Sequence, residues 1–206
     1  MYGYRRTGGC TVKIAVVASL TVATGPVLAE ELKLYNLAVG ASVGSALVVN
    51  IVNADQAGLD LGWDDGKERA RLLLNWSLPV QRTYGRVQVT TGLELALGST
   101  NYTPEEQSMK TEEQPMANLT PLFDWSMAVG PGRAMLETGL GAAYLSSTTL
   151  GPDEYSTYWH FSQILGLGYV YRDWQLGWRY QHVSNGSIKK PNNGQNFHGL
   201  VLKYHY

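Results

Sequence analysis

Cysteine is nearly absent from this chain of 206 residues, which has only Cys10. That cysteine precedes the first apolar run instead of following it, which argues against a lipoprotein anchor, and the chain beyond residue 29 holds no thiol. The remainder can therefore fold in an oxidising compartment without crosslinks. Long hydrophobic runs are missing too. The stretch Ile14–Ala23 is too short to cross a bilayer as a helix, and nothing later approaches the roughly 18 unbroken apolar residues that such a helix needs. Any membrane crossing must then be made by strands. Nor is there a surplus of basic charge: 16 Lys and Arg stand against 17 Asp and Glu, with no basic cluster, so no nucleic acid is expected as a partner.

What is present begins with a leader. Arg5, Arg6 and Lys13 precede the apolar run, Thr24-Gly25-Pro26 follows it, and small Ala29 stands before Glu30-Glu31, the pattern of a cleaved signal peptide over 1–29. Removing it takes three basic residues and no acidic one, which leaves a mildly acidic chain of one domain. Residues 30–56 carry no assigned structure, and 57–206 form the domain.

That domain alternates with a period of two, the signature of strands with distinct faces. From Trp174 the even positions read Trp174, Leu176, Trp178 and Tyr180, against Gln175, Gly177, Arg179 and Gln181 on the odd ones. The same pattern recurs at Leu72–Leu78, Val87–Leu97, Leu119–Met127, Leu136–Tyr144, Phe161–Tyr171 and Leu200–Tyr206, which makes seven strands. An eighth is expected at 57–64, with Leu34–Val43 as the alternative. Connections at 99–118, 146–159 and 185–195 are long, whereas those at 128–133 and 172–173 are short, the asymmetry of an outer-membrane barrel. The second face carries Asp60, Arg71, Glu94, Asp124, Glu137 and Arg179 among glycines. A basic residue at the lipid midplane costs about 2–4 kcal/mol, so these charges belong in the lumen and the apolar face belongs in lipid. The expected fold is an all-β, eight-stranded antiparallel transmembrane barrel ending on the aromatic Tyr206, in the outer membrane of a Gram-negative cell.

The even face of the strand from Trp174 continues as His182 and Ser184. Residues i and i+2 of a strand share a face, so a base and a nucleophile stand within reach of each other near the outer boundary. A symmetric hairpin to the last strand would set Asn196 opposite Ser184 and His198 opposite His182. Barrel topology by itself allows both to be ordinary interfacial polar residues.

The segment His182-Val183-Ser184-Asn185-Gly186-Ser187-Ile188-Lys189-Lys190-Pro191-Asn192-Asn193-Gly194-Gln195-Asn196 closely resembles the C-terminal motif of the lipid A 3-O-deacylase (PagL) family, His-x-Ser-Asn followed by a Pro-Asn-x-Gly turn. Weaker resemblance runs through Leu119-Thr120-Pro121, Glu137-Thr138-Gly139-Leu140-Gly141 and Gly166-Leu167-Gly168, so it covers most of 71–206. The resemblance implies an esterase that removes the 3-O-linked acyl chain of lipid A, the lipopolysaccharide anchor in the outer leaflet. Ser184 would be its nucleophile and His182 its base, with an acyl-enzyme between two steps. Asn185, Gly186 and Asn192 are the candidate oxyanion donors and substrate-positioning groups. Where the best-known family member has a glutamate, this chain has Asn196, which orients an imidazole without contributing charge, as asparagine does in papain-type proteases.

Other patterns carry less. Gly40-Ala41-Ser42-Val43-Gly44 matches a nucleophile elbow but lacks its strand-to-helix context. The acidic loop with Glu105, Glu106, Glu112 and Glu113 reads first as solvated and only second as a divalent-cation site. His160, His182, His198 and His205 lack metal-site spacing, so neither metal nor cofactor is expected. Three classes stay open: a lipid A deacylase, a structural or adhesive barrel, and a soluble lipid-binding barrel. A homodimer is likewise left open.

Overall fold

The computed structural model describes residues 53–104 and 111–206. The expected leader, the alternative first strand at Leu34–Val43, the Gly40–Gly44 motif and the Glu105–Glu106 pair lie outside the described residues.

Among the described residues ten strands follow one another: β1 (Gln56–Asp64), β2 (Lys67–Tyr84), β3 (Val87–Tyr102), β4 (Glu112–Val129), β5 (Gly132–Leu145), β6 (Thr149–Leu150), β7 (Asp153–Glu154), β8 (Trp159–Tyr171), β9 (Trp174–Ser184) and β10 (Gln195–His205). Eight of them close a barrel in the order β1-β10-β9-β8-β5-β4-β3-β2, while β6 and β7 make a small hairpin within one connection. The first barrel strand is the 57–64 segment, paired antiparallel with both β2 and β10.

Several strands outrun the alternation that signals them. β3 continues to Tyr102 and β4 starts at Glu112, so the connection read as 99–118 narrows to 103–111. Above the apolar band Ser99, Thr100 and Asn101 keep the ladder with Pro115, Gln114 and Glu113, but neither strand alternates in hydrophobicity there and the period disappears. β2 likewise runs on to Tyr84 across a register shift between Leu78 and Gln81. Pro79, which has no N–H for a ladder, lies in that irregularity. The outer connection between β1 and β2 is only Asp65 and Gly66, so the long-and-short alternation fails at that turn.

Outward positions are apolar and bare: Leu140 is 64% exposed, Leu167 58% and Leu176 59%, a surface suited to lipid. Aromatic contacts mark both rims, Tyr144 with Tyr158 and Trp159 at one, and Tyr204 with Trp174 and Tyr206 at the other. Inward lie the charges. Arg179 donates to Glu94 at 2.8 and 2.9 Å and to Glu137 at 2.6 and 2.9 Å. Lys203 reaches Glu94 at 3.0 Å and Glu137 at 2.9 Å, and Asp60 takes Arg69 and Arg71 at 2.9 Å each. Such ions offset their lost hydration only through multiple charge-assisted hydrogen bonds, as these do. Glu137 is thus committed to the lumen. Leu73, Ala96 and Val201 add an apolar patch to the same interior.

Candidate active site

The even face of β9 brings Tyr180, His182 and Ser184 onto the outer wall in one column, with Ser184 as the last residue of the strand. On β8, Gln163 pairs with His182 and Phe161 with Ser184. Trp159, one outward step beyond Phe161, belongs to the aromatic rim, so the pair sits just inside the boundary between lipid and head groups.

The register with β10 differs from a symmetric hairpin. Asn196 pairs with His182, His198 with Tyr180, and Gln195 with Val183, which leaves Ser184 beyond the ladder. The connection 185–194 accounts for the offset, because it opens with a tight turn on the β9 side. Ile188 N–H donates to Asn185 O at 3.2 Å, and Gly186 and Ser187 both take left-handed φ, 64° and 62°. Two successive left-handed residues are costly outside glycine, which fits Gly186 at the first of them.

With this register three side chains form a relay. Asn196 Oδ1 lies 2.8 Å from His182 Nδ1, and His182 Nε2 lies 2.9 Å from Ser184 Oγ. An amide oxygen only accepts, so Nδ1 carries the proton, Nε2 presents its lone pair, and the Ser184 hydroxyl donates to it. Tyr180 OH donates to the same Asn196 oxygen at 2.9 Å, using its second lone pair and fixing which way the amide faces. Asn196 N–H in turn donates to Asp64 Oδ2 at 2.9 Å. Ser184 is only 8% exposed, whereas His182 is half-buried and Asn196 open. This arrangement has the geometry that a nucleophile and its base require, with the imidazole oriented by a third group.

The three candidate oxyanion residues separate. Asn185 is 1% exposed and spends its donors on its own loop and on the β7–β8 connection: Nδ2 on Lys189 O at 2.8 Å and Tyr155 O at 3.0 Å, and N–H on Asn192 Oδ1 at 3.0 Å. It holds the connection together and has no donor left for substrate, against the sequence expectation. Asn192 keeps its Nδ2 hydrogens, and Gly186 N–H makes no hydrogen bond among the described residues.

The loop is also tied down from outside. Asn193 N–H donates to Glu154 O at 3.1 Å, and its side chain donates to Asp153 Oδ1 at 2.8 Å. Asp153 Oδ2 meets Lys67 Nζ at 2.5 Å. Burial works to raise the Asp153 pKa, but the Asn193 hydrogen bond and the Lys67 contact outweigh it and hold the carboxyl below its usual range.

Sequence reasoning missed three contributors. Gly194 lies against the imidazole: a Cβ there would stand 2.8 Å from His182 Cε1. Tyr180 was assigned to the lipid-facing stripe and not to the relay, and Asp64 stood unremarked at the end of β1. Beside the relay, Leu140, Gln163, Leu165 and Tyr180 line an outer depression of about 450 Å³. Glu112, from the acidic loop, accepts from Gly151 N–H at 2.8 Å, and among the described residues no three His, Cys, Asp or Glu converge as metal ligands.

Comparison with known proteins agrees over nearly the whole barrel. The family described as "Lipid A 3-O-deacylase (PagL)" matches residues 59–205. A lipid A deacylase PagL of Bordetella bronchiseptica is 28% identical over 158 residues, which is 73% of this chain and 84% of the relative. One from Pseudomonas aeruginosa is 26% identical over 172 residues, 83% of this chain and 97% of the relative. Among solved structures, the crystal structure of the outer membrane enzyme PagL superposes with a TM-score of 0.63 at 21% identity, over 73% of this chain and 99% of that one, a likeness of fold.

Proposed function

This chain belongs to the lipid A 3-O-deacylase (PagL) family, and from that membership we propose that Ser184, His182 and Asn196 perform its reaction on the outer wall of the barrel. The protein is an outer-membrane enzyme that deacylates lipid A, and its substrate is therefore lipid A or the lipopolysaccharide that contains it. Each of the eight barrel strands crosses the membrane once, after a leader over 1–29 has been removed.

The observation that carries the mechanism is the relay from Ser184 Oγ to His182 Nε2 at 2.9 Å and from His182 Nδ1 to Asn196 Oδ1 at 2.8 Å. Ser184 Oγ attacks the carbonyl carbon of the 3-O-linked ester as its proton passes to His182 Nε2. The tetrahedral intermediate collapses, the bond between the acyl carbon and the sugar 3-oxygen breaks, and the proton passes from His182 to that departing alcohol oxygen. Water, deprotonated by the same nitrogen, then attacks the acyl carbon; the bond to Ser184 Oγ breaks, Oγ regains its proton from His182, and the fatty acid leaves. Gly186 N–H and Asn192 Nδ2 are the donors left to meet the oxyanion. The acyl chain lies in lipid along the depression beside Tyr180, where Leu140 and Leu165 provide an apolar bed and Gln163 the one side-chain amide. All these groups come from one chain, so the chemistry calls for no second copy.

Mass spectrometry of lipid A incubated with the detergent-purified protein tests the reading, with Ser184→Ala as control. Loss of one 3-linked acyl chain with the wild type alone is the expected result. Unchanged lipid A with a folded wild type would refute it, and equal loss with both proteins would remove Ser184 from the mechanism.

A further inference from the structure

The relay ends on a neutral amide. Asn196 can orient His182, but when the imidazole takes up the serine proton the new positive charge faces no anion among the three side chains. Glu137, the carboxylate on the strand beside β8, is turned into the lumen and held there by Arg179 and Lys203. The carboxylate that does touch the relay belongs to Asp64. Its Oδ2 accepts from Asn196 N–H at 2.9 Å, and its Oδ1 accepts from Asp65 N–H at 3.0 Å.

We propose that Asp64 is the positioning acid of this active site, acting on His182 through Asn196 and supplying the negative charge that the amide lacks. The inference rests on the Ser184 and His182 reading above. Placement follows from topology. β1 ends one residue after Trp63 pairs with His198, so β10 runs past it, and the Asn196 N–H left without a strand partner is met by the Asp64 carboxylate. One contact thus caps an open ladder position, fixes the backbone that carries the amide, and places an anion within two hydrogen bonds of the imidazole. Asp64 Oδ1 is satisfied locally, and no Lys or Arg forms a salt bridge with this carboxylate among the described residues: Lys67, opposite Asp64 in the β1–β2 ladder, is engaged by Asp153. The nearest basic side chains on the catalytic loop, Lys189 and Lys190, are exposed. Tyr180 completes the arrangement by holding the Asn196 oxygen toward His182.

The test separates charge from hydrogen bonding. Asp64→Asn keeps an acceptor for Asn196 N–H and loses the anion, Asp64→Ala loses both, and Asn196→Asp moves an anion into direct contact with His182. All are folded into detergent, checked by heat-modifiable migration, and assayed on lipid A and on a short-chain p-nitrophenyl ester beside the wild type and Ser184→Ala. Expected for Asp64→Asn is a roughly three- to tenfold fall in kcat with KM unchanged, the size of one partly screened charge several ångströms away. That loss shrinks at high salt and is recovered in the Asp64→Asn, Asn196→Asp double variant. Wild-type kcat in Asp64→Asn would overturn the proposal, as would failure of Asn196→Asp to recover the loss, which would make the fall structural. A wild type no faster than Ser184→Ala on either ester would instead refute the underlying serine mechanism and take the inference with it.

Discussion

β9 and β10 build two polar networks on opposite faces of the same wall. Inside, Arg179 and Lys203 bind Glu94 and Glu137 through full charges in a sealed interior, and every one of the four is at most 3% exposed. Outside, Ser184, His182, Asn196 and Tyr180 are joined by neutral hydrogen bonds at the membrane boundary. The inner network is held by ion pairs between groups that are all buried. The outer one is, in the proposed mechanism, a chain whose proton moves from oxygen to nitrogen without any group having to leave its partner. The buried ion pairs thus lie on one side of the strands and the proposed chemistry on the other, separated by a single pleat.

The sharpest way to break that comparison is to strike each face once. Ser184→Ala should lower deacylation at least about 10³-fold and leave the urea midpoint of the barrel in detergent within error of wild type. Arg179→Met should do the reverse. Removing one partner of a buried ion network leaves its carboxylates unpaired and costs about 3–5 kcal/mol, read as a lower urea midpoint, while the fraction that stays folded keeps its kcat. Loss of activity without loss of stability in Arg179→Met would show that the two faces are coupled through the strands.

A smaller effect is expected from Gly194→Ala. A Cβ there would stand 2.8 Å from His182 Cε1, too close to be accommodated without moving the ring. Displacing a base by a fraction of an ångström breaks contact with the nucleophile, so kcat should fall roughly tenfold to a hundredfold with little change in the unfolding midpoint. A crystal structure of the variant with His182 unmoved would remove this explanation.

How far the sequence foretold these two faces depends on which forces set them. Period two is legible because one face meets lipid and the other meets ions, so Trp178 and Arg179 declare themselves as neighbours pointing opposite ways. His182 and Ser184 are legible for the same reason, as polar residues that continue an apolar column. Lys203 could have been read inward from the alternation of its strand, and Arg69 only once β2 was known to extend back to Lys67. The β9–β10 register was not legible, since it depends on the left-handed turn at Gly186 and Ser187 and on Asn185 tying Tyr155 to Lys189. Asp64 and Asn196 are 132 positions apart and meet only because the barrel closes between β1 and β10.

The mildest perturbation concerns the latch that links the two-residue turn between β1 and β2 with the catalytic loop. Asp153 accepts from Asn193 and pairs with Lys67, and its carboxyl titrates below its usual value of 3.8. A carboxyl whose folded pKa is depressed stabilises the ordered loop above its unfolded pKa, and that contribution disappears as pH falls through the lower folded value. Asp153→Asn keeps an acceptor for Asn193 but loses the ion pair, so near neutrality amide exchange across 185–194 should quicken about two- to threefold. The wild type should approach the variant only in strong acid, once Asp153 itself is protonated. If the two proteins exchange alike at pH 7, the Lys67 pairing contributes nothing to loop order, and the hydrogen bonds of Asn185 and Asn193 suffice to hold the loop.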